Sequence, residues 1–279
     1  MAIELYTRSY NDVHMLPFFF RHYDRFVDRY VIYDDGSTDG TLEALGGRAK
    51  VEVRPRPSYA DPSSSVRSSR DLMEQIWKES RGRADWVIVT DIDEHLHHPD
   101  LVGYLAQLGR MGVTLVPALG FQMLSWVFPS ADRMLCRDVT RGAPAPMMNK
   151  LSLFAPHAIQ ETRFENGRHA ARPTGDVRLP ARDELLLLHY KYLGLEETQR
   201  RHEAYARRLR PTDVAEGWGH KYLWSRDQLE QDWAEVEANA VDISSPGFDL
   251  EVLHPHRWWS DLPRVQEATS ATLQGPPSS

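Results

Sequence analysis

Three carboxylates fall within four positions at Asp91-Ile92-Asp93-Glu94, directly after the apolar run Trp86-Val87-Ile88-Val89. An apolar, β-branched run of this kind is the pattern of a strand buried on both faces. In a parallel sheet, ligands gather beyond the carboxyl ends of such strands. Asp91 and Asp93, two positions apart, can turn toward one point as the strand ends. Their hard oxygens suit Mg2+ or Mn2+, the ions that also take diphosphate oxygens. Carboxylates crowded beside an apolar strand repel one another, so the motif predicts a cation among them. The competing reading is an acidic turn with one carboxylate as a helix cap.

A second stretch, Asp34-Asp35-Gly36-Ser37-Thr38-Asp39-Gly40-Thr41, follows the apolar run Tyr30-Val31-Ile32-Tyr33. Its glycines permit tight turns, and its carboxylates and hydroxyls offer hydrogen bonds to a base and a ribose. Taken by itself it is also a turn plus an N-cap. His189 follows the apolar run 185–188 and belongs at another strand end. Its imidazole could complete a metal's shell there or serve as a satisfied structural group. His169, in the turn Asn166-Gly167-Arg168-His169, faces an acceptor or lies on an exposed loop. Phe121, Trp126 and Phe128 could stack on a sugar ring or pack into the core. Arg200-Arg201 and Arg207-Arg208 read as a solvated helix face.

The elements that must position these groups alternate over residues 1–118. Strands are expected at 3–7, 30–33, 51–53, 86–89 and 113–116. Helices are expected from 13 behind an Asn11-Asp12 cap, at 41–45, from 65, and around Leu101, Tyr104, Leu105 and Leu108. Strands alternating with helices imply an α/β fold with a mostly parallel sheet flanked by helices. Residues 119–263 are less regular. Strands are expected at 150–154 and 185–188, and helices at 196–209 and 228–240, forming the acceptor-side half of the same domain. From 264 to 279 the composition turns to Ala, Thr, Ser, Gly and Pro, the pattern of a flexible tail.

Composition narrows the function. The 279 residues suffice for one large domain with a sizeable core. Lys and Arg number 33 against 40 Asp and Glu, a formal net charge of −7. That balance argues against a nucleic-acid partner, which needs a basic footprint. A lone Cys136 excludes an internal disulfide and a thiolate zinc site. No run approaches the roughly 20 apolar residues of a membrane span, so no transmembrane segment is expected. The start Met1-Ala2-Ile3-Glu4-Leu5 lacks the basic and apolar regions of a signal peptide, so a cytoplasmic setting is expected.

Tyr10-Asn11-Asp12, then Asp34 through Thr41, then Asp91-Ile92-Asp93-Glu94 resemble the nucleotide-sugar half of family-two glycosyltransferases. The resemblance is to the branch whose acidic motif reads Asp-x-Asp-Glu after a Trp-containing strand. Lys150-Leu151-Ser152-Leu153 and His189-Tyr190-Lys191-Tyr192 look like two later elements of that branch, which extends the likeness over roughly residues 3–210. The resemblance implies a GT-A fold, with residues 1–118 as the nucleotide-sugar half. It implies a nucleoside-diphosphate sugar as donor, with UDP favoured, and a saccharide, lipid-linked or small-molecule acceptor. By this likeness Ser9, Asp12, Asp34 or Asp35 would hold uracil or ribose, and Arg70 would lie near the diphosphate. Asp91 and Asp93 would hold Mn2+ or Mg2+, with His189 joining them. Inversion at the anomeric carbon is likewise carried over from the family. Glu94, beside the acidic motif, and Glu161, from the acceptor half, are the candidate catalytic bases.

Two other classes compete. A sugar nucleotidyltransferase shares a related sheet but opens with a Gly-rich loop, and residues 3–20 contain no glycine. A non-catalytic carbohydrate-binding protein derived from the same fold is disfavoured by the intact Asp91, Asp93 and Glu94.

Overall fold

A computed structural model describes residues 1–58, 60–245 and 248–266. Strands β1 (Ile3–Ser9), β2 (Arg29–Asp34), β3 (Val51–Pro55) and β4 (Trp86–Val89) alternate with helices α1 (Leu16–Tyr23), α2 (Thr41–Leu45) and α3 (Ser65–Ile76). After β4 come β5 (Glu94–His97), α4 (Leu101–Arg110), β6 (Leu115–Ser125), α5 (Leu135–Asp138), β7 (Arg141–Pro144), β8 (Lys150–Phe154), β9 (Ile159–Glu161) and β10 (Thr174–Gly175). The chain then forms β11 (Leu186–Leu193), α6 (Leu195–Ala206), α7 (Pro211–Ala215), α8 (Arg226–Ala238), β12 (Val241–Asp242) and α9 (Leu250–Leu253).

The main sheet runs β12-β7-β6-β8-β4-β1-β2-β3. Its β3-β2-β1-β4 half is wholly parallel, and β8 pairs antiparallel with both β4 and β6. This is the α/β arrangement expected from the sequence, a mostly parallel sheet flanked by helices. Parallel order forces the ends of β1, β2 and β4 to one edge, so Ser9, Asp34 and the acidic motif emerge together. A second set of pairings completes that edge. β11 lies parallel to β6 and antiparallel to β5, with His189 opposite Glu94. The Tyr190 amide also donates to the Asp93 carbonyl at 2.7 Å.

The core explains why the elements hold. Val87, Ile88 and Val89 of β4 are fully buried, as are Val31 and Ile32 of β2. Phe18, Phe19, Phe20 and Tyr23 of α1 pack against the sheet and bury completely or nearly so. Pro17 stands at the start of α1, where a missing backbone N–H costs nothing.

Three expectations shift. β6 begins at Leu115 and runs to Ser125, far beyond 116, because it pairs in turn with β8, β11 and β7. β11 likewise continues to Leu193. Asn11 and Asp12 do not cap α1 with their side chains. The Asp12 carbonyl accepts the Met15 and Leu16 amides, while its carboxylate turns back to Ser9 Oγ and the Tyr10 amide. At the C-terminal end, the Val265 amide donates to the Leu179 carbonyl, and Arg264 binds the Asp183 carboxylate. Of the expected tail, residues 267–279 lie outside the described residues.

Candidate functional site

Beyond β4 each of the three carboxylates is met by cations, and Arg168 is shared between Asp91 and Glu94. Asp91 receives Arg8 Nε at 3.1 Å and Arg168 Nη2 at 3.0 Å. Asp93 receives Arg201 Nη2 at 2.9 Å, and His189 Nε2 stands 3.5 Å from the same oxygen. Glu94 is fully buried between Lys150 Nζ at 2.5 Å and Arg168 Nη2 at 2.6 Å. Arg168, itself 2% exposed, also donates to the Val89 carbonyl at 2.7 Å, which fastens the network to the last residue of β4. Burial works to raise the Asp93 carboxyl, but Arg201 and His189 outweigh it and hold Asp93 well below the usual carboxylate range. Burial is similarly overcome at Glu94 by Lys150 and Arg168, and its carboxyl is lowered.

This bears on the expected metal. Clustered carboxylates require a cation, and the chain supplies Arg8, Lys150, Arg168 and Arg201 from β1, β8, the 166–168 turn and α6. Asp93 and His189 come together, but Asp91 is engaged by a different pair of arginines. Among the described residues no group of three or more His, Cys, Asp or Glu could hold a metal ion. The donor set therefore does not fit Mn2+ or Mg2+ held by Asp91, Asp93 and His189.

The other side of the edge is built by β1 and β2. Asp34 Oδ2 accepts the amides of Gly36 at 2.9 Å and Ser37 at 3.0 Å, closing the turn, and Gly36 takes the left-handed φ of +81° that this turn requires. Asp34 Oδ1 is buried with no hydrogen-bond partner among the described residues. A cleft of about 470 Å³ opens here, lined by Asp34, Asp35, Leu42, Val53, Pro55 and Arg56. Asp35 is paired with Arg56 at 2.5 Å and with Arg208. Arg208 also stacks 3.7 Å over the Tyr10 ring. Ser9 Oγ donates to Asp12 at 3.0 Å. Burial pushes the Asp12 carboxyl up to about 6, against the nearby Arg201.

Several expected site residues lie elsewhere or play other parts. Arg70 turns to Asp71 and to Asn166 at 3.3 Å, and the arginine that reaches the acidic motif from this side is Arg8. Glu161 pairs with Lys78 at 2.5 Å, on the turn that leads into the start of β4, at the opposite end of the strand from Asp91. Glu94 has its oxygens engaged by Lys150, Arg168 and the Asp91 amide, which suits a structural anion and not a proton acceptor. His169 lines a separate cleft of about 350 Å³ with Asn149, His256 and Trp258. Phe121 is fully buried against Phe248 and His254, and Phe128 packs on Phe18. Trp126 is half exposed and lies against Trp233, so of the three aromatics only Phe121 and Phe128 are spent on packing.

Sequence reasoning missed the cations. Arg201 reads as a solvated residue in the sequence, yet its side chain is 10% exposed. Its signal is positional. Leu195, Thr198, Arg201, His202 and Tyr205 recur at helical spacing along one stripe of α6, and an arginine on such a stripe must be paired inside. Arg8 and Arg168 carry no such signal, since one lies near the end of a strand and the other sits in a turn with φ +59°.

No family model and no curated protein matches the chain. Among solved structures the chain is similar to S. aureus TarS at a TM-score of 0.32 and 13% identity, over 56% of this chain and 28% of that one. A 1–349 form of S. aureus TarS, alone and in complex with UDP, matches at the same score and identity over 56% of this chain and 47% of that one. The chain thus spans less than half the length of the structures it is similar to.

Proposed function

We propose that this chain is a glycosyltransferase that moves a sugar from a nucleoside-diphosphate sugar, with UDP as the carrier, to an acceptor hydroxyl. The observation that carries the reading is the convergence of two features at one sheet edge. One is the cleft with the unpartnered Asp34 Oδ1 at the end of β2. The other is the arginine-bound acidic motif at the end of β4. The first offers an acceptor to the N–H of a uracil edge, and the second a fixed field of N–H donors for an anionic leaving group. The likeness of Asp34–Thr41 and Asp91–Glu94 to the family-two motifs supports the same reading.

In the reaction the C–O bond between the anomeric carbon and the diphosphate breaks, and its electron pair leaves on the phosphate oxygen. The acceptor oxygen bonds to the anomeric carbon, and its proton passes through water to the departing diphosphate, whose oxygen has gained the electron pair. The part this chain's residues play is electrostatic. Arg8 and Arg201, held in place by Asp91 and Asp93, stabilise charge on the departing diphosphate without reorganising. The second cleft, with Trp258 and His169, is the natural acceptor side.

Thermal shift and calorimetry with UDP, CDP, ADP and GDP test the reading. UDP should bind most tightly, and UDP-sugars should be hydrolysed slowly without acceptor. Tighter binding of ADP than UDP, or no binding of any nucleoside diphosphate, overturns it.

A further inference from the structure

We propose that Arg8, Arg201 and Lys191 bind the donor diphosphate directly, so that the nucleotide is held without a divalent cation. The inference rests on the nucleotide-sugar reading above and concerns only how that donor is gripped.

Each arginine is anchored by a carboxylate and keeps donors unspent. Arg8 spends Nε on Asp91 and Nη1 on Ser69 Oγ, and among the described residues its Nη2 makes no hydrogen bond. Arg201 spends only Nη2, on Asp93, leaving Nε and Nη1 without a partner among the described residues. A guanidinium fixed by a carboxylate on one edge presents its remaining donors at a defined angle, which is the geometry that suits phosphate oxygens. Lys191 supplies the third cation. Its Nζ stands 4.7 Å over the Tyr222 ring and makes no hydrogen bond or ion pair among the described residues. Tyr222 stacks on Tyr205 at 5.1 Å, and both rings lie within electrostatic reach of Arg8. The three cations thus gather about one aromatic pair.

The charges here say what is missing. Arg168 and Lys150 are absorbed by Glu94 and Asp91. Lys191 has Lys221 and Arg201 for neighbours, with Asp93 and Asp232 already bound to those two. A cation set between two others, whose carboxylates are already taken, is one that an arriving anion would relieve. A diphosphate is the anion the neighbouring base cleft would deliver.

The test is calorimetric titration of the full chain with UDP and with uridine, once in EDTA and once in Mn2+. The expected result is a UDP affinity that agrees within about threefold between the two conditions and exceeds that of uridine by on the order of a hundredfold. Lys191→Met should weaken UDP by about tenfold or more in EDTA and leave uridine within about twofold. Arg201→Lys, which keeps a charge on Asp93 and so protects folding, should weaken UDP and spare uridine in the same way. UDP binding that is lost in EDTA and restored by Mn2+ overturns the inference while leaving the nucleotide reading intact. So does UDP that binds no more tightly than uridine, or a Lys191→Met variant with unchanged UDP affinity. Failure of both ligands in both conditions overturns the nucleotide reading itself.

Discussion

Arg201 Nη2 lies 2.9 Å from Asp93 Oδ2, joining α6 to the acidic motif across 108 positions of sequence. The pair is close to buried, with side-chain exposures of 10% and 13%. Repulsion among carboxylates alone would make removal of Asp93 neutral or stabilising. The pairing reverses that sign. Asp93→Ala strands the Arg201 charge and leaves His189 without its neighbour, and stability should fall by about 3 kcal/mol. Urea unfolding of the purified variant measures this. A variant as stable as the parent means that Arg201 finds water or Asp12, which is 4.0 Å away, at no cost.

Glu94 gives a second stability prediction, because it is a structural anion. Glu94→Gln leaves Lys150 and Arg168 facing an uncharged partner inside the core and should cost about 3 kcal/mol. Glu94→Gln combined with Lys150→Met removes one charge of each sign. The double variant should be less destabilised than the sum of the two single ones, by about 1–3 kcal/mol. Additive losses in this double-mutant cycle would mean that Glu94 and Lys150 do not act as a pair.

The parallel half of the fold is legible in the sequence because burial on both faces leaves continuous apolar runs, as in β2 and β4. The caps are legible where a side chain forms the bond, as Ser64 does for α3 by accepting the Arg67 amide. The long extent of β6 is not, because its run through Pro117, Gly120 and Gln122 breaks the apolar pattern and is held by three different partner strands. His189 comes near Asp93 because the antiparallel register of β11 on β5 sets it opposite Glu94, one residue from Asp93. The partner cations are illegible for a different reason. Arg8, Arg168 and Arg201 come from distant positions, and only the closed sheet brings them to one set of carboxylates. Acidic clustering signals that positive charge is needed. It does not say whether a metal or the chain provides it.

Core histidines make the fold sensitive to acid. His22 and His95 stack at 4.7 Å, and His22 Nε2 donates to the Leu96 carbonyl at 2.7 Å. His95 also packs edge-on against Tyr190 at 5.0 Å. Burial brings His22 down to about 4 and His95 well below its ordinary value. The unfolded chain takes up these protons near the ordinary histidine value of about 6.5, before the native state does. Stability should therefore decline as pH falls from about 6.5 toward 4, by roughly 3 kcal/mol from His22 alone once its folded pKa is passed. Asp12 works against this decline, since its raised carboxyl protonates earlier in the native state. His95→Phe removes one titrating ring while preserving the stack, and the slope of urea midpoint against pH should become shallower. An unchanged slope would assign the acid sensitivity to the carboxylates.

Asp34 provides the sharpest test of base reading, because its two oxygens do different jobs. Oδ2 accepts the Gly36 and Ser37 amides and so shapes the turn, while Oδ1 has no partner among the described residues. In the Asp34→Asn variant the remaining oxygen can stay on the two amides, and an NH2 group must then stand in the place of Oδ1. The turn survives, and only the character of the free position changes, from acceptor to donor. A uracil edge offers an N–H at the atom where a cytosine edge offers a lone pair. The variant should thus bind UDP more weakly by on the order of tenfold, with CDP unchanged or tighter, because a site built to satisfy one polar edge penalises its reverse. Competition titration of UDP against CDP on parent and variant measures the ratio directly, and the ratio is insensitive to any fraction of misfolded protein. Equal weakening of both nucleotides would show that the substitution disturbed the turn. An unchanged ratio with unchanged affinities would show that Asp34 does not face the base.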